Sequence, residues 1–176
     1  MNKEIHENMQ NAENLLQVIN TIDTIEFSEW IKEKAKLKYK GNMPIFPIYN
    51  KFIYWCNFGI NIGSKQNKLR PVIIIRTSKN SSIATIIPLT SKRLKDEFWY
   101  HIDLEDIDST ALVEQLRVIS KIRIINPFRK KGKLVAISES DWNKINYQLK
   151  ILYRLKPLKK SIENSWHFFK YWLLLY

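Results

Sequence analysis

Apolar residues recur at helical spacing near the start of the chain. Residues 3–20 are predicted to form a helix, with one apolar face built from Ile5, Met9, Ala12, Leu15, Leu16 and Ile19. A second helix is predicted over residues 29–39, with Ser28 as its N-cap. Gly41 and Pro44 then interrupt the helical pattern. We therefore expect an N-terminal helical extension over residues 1–48.

The pattern changes to short runs of β-branched and aromatic residues from Lys51 onward. Such runs predict strands at Phe52–Phe58, Arg70–Arg76, Ile83–Leu89, Trp99–Leu104, Thr110–Val113 and Val118–Ile125. Several short strands at this spacing indicate a small, strongly bent antiparallel sheet or barrel rather than βαβ units. The fold class expected is mainly β with appended helices, that is, α+β.

A final helix is predicted to pack on this sheet. The segment 138–141 resembles a capping box, and one apolar face follows from Trp142, Ile145, Leu149 and Leu152. Pro157 ends the predicted domain, which covers residues 49–156. Residues 157–176 form an aromatic, leucine-rich tail that is predicted to be helical. Its apolar run, Trp166–Tyr176, is interrupted by Lys170 and is far shorter than the ~20 residues that span a bilayer. We expect this tail to dock on its own domain or on a partner subunit, with a membrane-surface role as the alternative.

Composition narrows the class of protein. The chain has 176 residues, of which 45% are hydrophobic, which suits one domain and excludes wholesale disorder. Cys56 is the single cysteine, so an internal disulfide framework and a multi-cysteine zinc site are excluded. The first residues lack the features of a signal peptide. We expect a cytoplasmic protein.

The charge is unevenly distributed. The formal net charge is +12, made up of −1 over residues 1–40, +5 over residues 41–127 and +8 over residues 128–176. No Asp or Glu occurs between Glu33 and Asp96, although nine Lys and Arg residues lie between Lys51 and Lys95. An acid-free stretch of this kind indicates a surface that meets a polyanion. A lysine-rich compositional bias with ordinary solvated lysines is the alternative.

Several kinds of chemistry are disfavoured by the spacing of the residues. His6, His101 and His167 are scattered and lack ligand-spaced neighbours, so no metal site is expected. The acidic residues of segment 103–108 lack the glycine and terminal glutamate of an EF-hand and are interpreted as a solvated turn. Cys56 lies in an apolar strand and is interpreted as a core residue.

Polar residues collect instead at three predicted strand ends. Arg70 begins a strand after the loop that contains Gly63, and an arginine there offers phosphate a planar pair of donors that stays charged. A second strand end carries hydroxyls and a cation, namely Thr90, Ser91 and Lys92. A third carries Glu114, Gln115 and Arg117.

These motifs, taken in order, resemble the MazF/PemK toxins, the ribonuclease components of type II toxin–antitoxin pairs. The resemblance covers about residues 50 to 155 and is carried by Tyr54-Trp55, Gly63-Ser64-Lys65-Gln66, Arg70-Pro71-Val72, Pro88-Leu89-Thr90-Ser91 and Leu112-Val113-Glu114-Gln115-Leu116-Arg117-Val118-Ile119. It implies an SH3-like barrel of the MazF/PemK/CcdB type, usually a homodimer, that binds a cognate antitoxin. It also implies cleavage of single-stranded, mRNA-like RNA at short motifs without a metal or other cofactor.

The resemblance assigns the two principal catalytic roles to Arg70 and Thr90. Residues expected to support the site or contact RNA are Ser64, Lys65, Gln66, Lys68, Ser91, Lys92, Glu114, Gln115 and Arg117. RNA supplies its own nucleophile, the 2′-hydroxyl, so the protein need only orient it, move a proton and stabilise the charge of the phosphorane. Arg70 suits the stabilising role and, second, proton donation to the leaving 5′-oxygen, because a guanidinium with a pKa above ~12 is a poor base.

Lys65 departs from the family pattern, which usually has an acidic residue between the serine and the glutamine. A charged lysine cannot accept a proton, and Glu114 is the only acid near the motifs that could take that role. Two alternatives to a nuclease therefore stay open. One is a non-catalytic module on the same barrel that binds RNA or DNA, and the other is a toxin directed at gyrase.

Overall fold

The computed structural model describes residues 3–18, 21–61, 63 and 68–155. It contains three α-helices, α1 to α3, and nine strands, β1 to β9, within those residues. The helices are α1 (Lys3–Gln17), α2 (Thr21–Lys40) and α3 (Glu139–Leu152). The strands are β1 (Ile53–Asn57), β2 (Leu69–Arg76), β3 (Ile83–Thr90), β4 (His101–Asp103), β5 (Thr110–Leu112), β6 (Arg117–Ser120), β7 (Ile124–Pro127), β8 (Arg129–Lys130) and β9 (Lys133–Leu134).

The long strands form an antiparallel sheet that bends into a small barrel. β1, β2 and β3 pair in sequence order, β6 pairs with the first half of β3, and β7 pairs with β1. A 3₁₀ turn, Lys121–Arg123, joins β6 to β7 and so brings the two ends of the sheet together. β4 and β5 extend the far half of β3 as a separate flap. The predicted α+β fold with an antiparallel barrel is confirmed.

Alternation along the strands produces two apolar clusters, because successive side chains point to opposite faces of a sheet. The interior of the barrel holds Tyr54, Cys56, Phe58, Val72, Ile74, Ala84, Ile86, Ile119 and Ile124. The opposite face packs under α3 and includes Ile53, Ile73, Ile87, Leu89, Ala111, Val113 and Ile145. Cys56 is fully buried and burial raises its pKa to about 12, so its thiol is a core group as expected.

The C-terminal helix follows its predicted pattern. Ser138 is the N-cap of α3, and its hydroxyl accepts a hydrogen bond from the Asp141 N–H at 3.0 Å. Ile145 is fully buried, and the other members of the predicted apolar face pack around it, namely Trp142, Leu149 and Leu152. The predicted tail, residues 157–176, lies outside the described residues.

Three predictions of local structure are wrong. Ser28 is no N-cap, because α2 already begins at Thr21 and the Ser28 hydroxyl donates to the Ile25 carbonyl one turn earlier. The strand predicted over Trp99–Leu104 is only three residues long. The strand predicted over Val118–Ile125 is broken by the 3₁₀ turn, since the chain must cross from β3 to β1 to close the barrel.

Candidate active site

The strand ends that carry the predicted site residues meet at one end of the barrel. β2 starts where β1 ends, and the pairing of Cys56 with Arg70 fixes their register. β2 and β3 pair Val72 with Pro88 and Ile74 with Ile86. Because β2 and β3 are antiparallel, the start of β2, which carries Arg70, lies beside the end of β3, which carries Thr90. Arg70 is half-buried, whereas Thr90 is buried.

Thr90 is held by its neighbours on both sides. Its hydroxyl oxygen accepts a hydrogen bond from the Lys92 N–H at 3.3 Å. On the flap, Thr90 pairs with Thr110, which pairs with Asp103, and the Thr110 hydroxyl donates to that carboxylate. These paired residues, Thr90, Thr110 and Asp103, fix the end of β3. The exposed side chains of Ser91 and Lys92 follow directly after it.

The third strand end lies beside the flap. Glu114 and Gln115 lie in a 3₁₀ turn, Val113–Gln115, and Arg117 begins β6. The Arg117 Nη2 donates to the Gln115 Oε1 at 3.0 Å, and its guanidinium lies 4.5 Å from the centre of the Phe58 ring. Burial lowers the pKa of Arg117. The side chain nevertheless keeps its charge, because arginines stay protonated in proteins.

Glu114 is part of a chain of polar groups that sequence reasoning missed. Its Oε1 lies 3.4 Å from the Nε2 of His101, and the Nδ1 of His101 lies 2.7 Å from the Oδ2 of Asp96. The other Glu114 oxygen, Oε2, is buried and has no hydrogen-bond partner among the described residues. A buried acceptor without a partner is costly, so Glu114 is poised to accept a hydrogen bond. The two carboxylates can accept from both ring nitrogens at once only when both nitrogens carry protons.

The spacing of His101 from other ligand residues predicts no metal site, yet this side chain contacts Glu114, one of the predicted site residues. The only sequence signal was the proximity of Asp96, five residues earlier, with an aromatic segment between them. Within the described part of the chain no group of three His, Cys, Asp or Glu side chains could hold a metal ion. In the same residues, no helix combines the length and apolarity needed to cross a bilayer.

The structure describes the two ends of the loop between β1 and β2. Its base is closed by the Lys68 N–H donating to the Gly59 carbonyl at 2.7 Å, and the Nζ of Lys68 pairs with the Oε1 of Glu26 at 2.8 Å. Three predicted site residues, Ser64, Lys65 and Gln66, lie outside the described residues. Of the loop residues predicted to contact RNA, the structure therefore describes Lys68, whose ion-pair partner, Glu26, lies in α2.

Comparison with models of known protein families finds a match that covers the barrel. The model described as "PemK-like, MazF-like toxin of type II toxin-antitoxin system" matches residues 51–153. The chain belongs to this toxin family. That match contains all of the predicted site residues and leaves α1 and α2 outside it. The resemblance inferred from the motifs is thereby confirmed.

Individual relatives agree with the family match. "Endoribonuclease MazF" from Staphylococcus saprophyticus is 28% identical over 106 residues, which span 55% of this chain and 83% of the relative. MazF (Form-I) from Deinococcus radiodurans superposes with a TM-score of 0.52 at 16% identity, covering 62% of this chain and 99% of that one. The MazE–MazF structure from the same organism gives 0.50 at 14% identity, covering 63% and 100%. At these identities the two structures support the fold.

Proposed function

We propose that this PemK/MazF-like toxin is an endoribonuclease that cleaves single-stranded, mRNA-like RNA at short sequence motifs. The observation that carries the proposal is the register of β2 and β3, which brings Arg70 and Thr90 to adjacent strand ends within the family match. The staphylococcal relative bears the name of that activity. Such a cleavage needs a cation, a hydrogen-bonding group and a proton acceptor, which Arg70, the Thr90 hydroxyl and the Glu114 carboxylate supply.

The chemistry requires the 2′-hydroxyl of one nucleotide to attack the adjacent phosphorus. The O2′–P bond forms as the P–O5′ bond breaks, the 2′-hydroxyl loses its proton, and the leaving O5′ gains one. The products are a 2′,3′-cyclic phosphate, or the 3′-phosphate after hydrolysis, and a 5′-hydroxyl. Arg70 stabilises the negative charge on the phosphorane oxygens and donates to O5′, and Thr90 orients the phosphate or the 2′-hydroxyl.

Glu114 takes the proton of the 2′-hydroxyl in this proposal. Lys65 stands where relatives usually have an acid, and a protonated amine cannot accept that proton. The Glu114 side chain is 28% exposed, so its carboxylate can be reached by a substrate, and His101 contacts its Oε1. Asp96 in turn holds the imidazole, so that His101 and Asp96 are positioning residues.

The first experiment is incubation of the purified protein with a long single-stranded RNA in the presence of EDTA. We expect site-selective cuts, and a rate that falls about 10²- to 10³-fold in Arg70→Ala and in Thr90→Ala. Arg76→Ala is the matched control, because this exposed arginine ends the same strand at its other end. Selective cleavage that survives both site variants would refute the assignment.

A second experiment tests the proton acceptor. Glu114→Gln keeps the shape and one acceptor oxygen but removes the charge, so we expect kcat to fall ~10²-fold while KM changes little. His101→Gln should lower kcat less, since it only loosens Glu114. An unchanged kcat in Glu114→Gln would remove this residue from the chemistry.

The main alternative is a nucleic-acid-binding module that does not cut, and Lys65 favours it, because the acid usual at that position is missing. Tight RNA binding without cleavage by the wild type would establish it. Inhibition of gyrase supercoiling, without RNA cleavage, would instead identify a toxin directed at gyrase.

We also propose that a cognate antitoxin neutralises the protein, that the toxin is a homodimer, and that it acts in the cytoplasm, where its RNA substrate is. The MazE–MazF structure provides a precedent for a complex in a protein of this fold. Light scattering of the purified chain, alone and with the product of an adjacent short reading frame, tests the dimer and the complex.

A further inference from the structure

Helix α2 presents an acidic face to the barrel. Six residues of α2 are half-buried among those described, and four of them lie at positions i, i+4, i+7 and i+11, on one side of the helix, namely Glu26, Trp30, Glu33 and Leu37. A face packed on a domain is ordinarily apolar, yet half of this set is carboxylate. This face of α2, outside the family match, therefore sets two carboxylates against a basic domain.

Trp30 anchors this face. Gly59 has a φ of +68°, and a Cβ built on it would lie 2.0 Å from the Trp30 ring, so the indole occupies the space that any other residue would need. The guanidinium of Arg123 lies 5.4 Å from the centre of the same ring and donates to the carbonyls of Asn57 and Phe58 at 3.1 and 3.2 Å. The helix thus sits against the end of β1, next to the start of β2.

The carboxylates of this face lie where RNA would approach. Glu26 pairs with Lys68, one of the residues predicted to contact RNA. One open groove is lined from the barrel by Lys68 and Leu69. From α2 it is lined by three acids and two lysines, namely Glu26, Glu29, Glu33, Lys32 and Lys36. Leu69 immediately precedes Arg70, so the groove lies beside the start of the strand that carries the residue assigned to the scissile phosphate. Both partners of the ion pair are partly exposed, at 43% for Glu26 and 64% for Lys68.

We propose that the inward face of α2 covers part of the surface on which single-stranded RNA lies, and that RNA phosphates must displace Glu26 and Glu33 from this groove. The inference rests on the proposed function, since it concerns the approach to the same site. Exposed ion pairs are weak and are screened by salt. A polyanion can therefore compete for Lys68, and the extension weakens RNA binding without abolishing it.

The test uses the full chain and an RNA that cannot be cut. Glu26→Gln/Glu33→Gln removes two charges from the groove, and Glu7→Gln/Glu13→Gln removes two charges from exposed positions of α1. Binding of a fluorescent 2′-O-methyl RNA of mixed sequence is followed by anisotropy at low ionic strength. We expect the groove variant to bind about three- to tenfold more tightly than the control, the effect of two surface charges. Equal affinities, or weaker binding by the groove variant, would overturn the proposal.

A double-mutant cycle ties the effect to Lys68. The gain produced by Glu26→Gln alone should shrink when Lys68→Gln is also present, because no lysine is left to be released. A gain of the same size in both backgrounds would mean that α2 acts on RNA elsewhere, contrary to the proposal.

Cleavage of unmodified RNA is measured in parallel, which separates the two proposals. If the wild type binds but does not cut, the nuclease assignment fails while the ranking of affinities still decides the role of α2. If the wild type cuts and the groove variant binds no better than the control, only the role of α2 fails. If none of the proteins binds, both proposals fail.

Discussion

Two helices pack on the same barrel by different means. α3 inserts a fully buried isoleucine, Ile145, into an apolar cluster, whereas α2 has no fully buried side chain among those described. Each helix places a half-buried tryptophan against the barrel with a cation over it, Lys51 at 5.0 Å from the ring of Trp142 and Arg123 at 5.4 Å from the ring of Trp30. The tryptophans are alike, and the difference lies in what surrounds them.

The surroundings decide how easily each helix can be displaced. Trp142 is flanked by Ile145 and Leu149, so moving α3 would expose apolar surface to water. Trp30 is flanked by Glu26 and Glu33, whose charges are better solvated in water than against a protein. Packing through apolar side chains makes a helix part of the fold, whereas exposed polar contacts are weak and can be replaced by contacts with water or with an anion.

The largest effect is expected from the core of α3. Ile145→Ala should lower the free energy of unfolding by about 2–5 kcal/mol, because it removes buried methyl groups and leaves a cavity. Ile151→Ala, on the exposed side of the same helix, is the control and should change stability by less than about 0.5 kcal/mol. Urea denaturation measures both, and similar losses in the two variants would contradict the assignment of α3 to the core.

A smaller effect is expected where α2 touches the barrel. Gly59→Ala places a Cβ against the Trp30 ring, whereas Gly63→Ala meets nothing within 4 Å, although both glycines have a positive φ, +68° and +73°. The backbone cost is therefore shared, and Gly59→Ala should cost about 1–3 kcal/mol more through overpacking. Urea denaturation again measures the difference. Equal costs would show that Trp30 moves aside freely.

The N-cap of α3 should contribute less again. Ser138→Ala removes the acceptor of the Asp141 N–H and should cost about 1 kcal/mol. Ser28→Ala in α2 is the matched control, because the Ser28 hydroxyl is no cap and donates only to a carbonyl of its own helix. Thermal unfolding followed by circular dichroism compares the two. A loss in Ser28→Ala as large as that in Ser138→Ala would run against this distinction.

The smallest effect concerns an exposed network that ties α3 to the loop after β4. Hydrogen bonds from Lys144, Ser140 and Ser138 lower the pKa of Glu105 to about 2. The stability contributed by this carboxylate is full above its unfolded pKa of about 4.3 and is lost as the pH falls towards 2.

Glu105→Gln should therefore be less stable than the wild type at pH 7, and the gap should close between about pH 4 and pH 2. Exposed Glu97→Gln is the control and should show no such convergence. Denaturation at a series of pH values measures the gap, which would stay constant if Glu105 did not titrate with folding.

Patterns that depend on near neighbours in the chain could be predicted from the sequence. The apolar face and the cap of α3 follow from helical spacing, and β2 and β3 follow from continuous β-branched runs, because buried strands need apolar side chains on both faces. Ser28 misled because a serine inside a helix looks like a cap until the start of the helix is known. The 3₁₀ turn that divides the predicted strand Val118–Ile125 could not be predicted from the sequence, because barrel closure rather than local propensity imposes it.

The candidate site divides in the same way. Arg70, Thr90, Glu114 and their neighbours could be nominated from ordered motifs, which are a property of the sequence. The contacts of His101 with Glu114 and of Glu26 with Lys68 could not be predicted, since they join residues 13 and 42 positions apart with no recognisable motif.

The sequence by itself determined an antiparallel barrel with helices, a basic domain after a slightly acidic extension, and the motifs of a toxin family. Only the tertiary structure decided that Arg70 and Thr90 belong to neighbouring strand ends, that His101 contacts Glu114, and that Glu26 of the extension pairs with Lys68 of the barrel. The physical reason is that periodicity and composition report burial and net charge. Which charges meet is fixed by strand register and by the packing of distant elements.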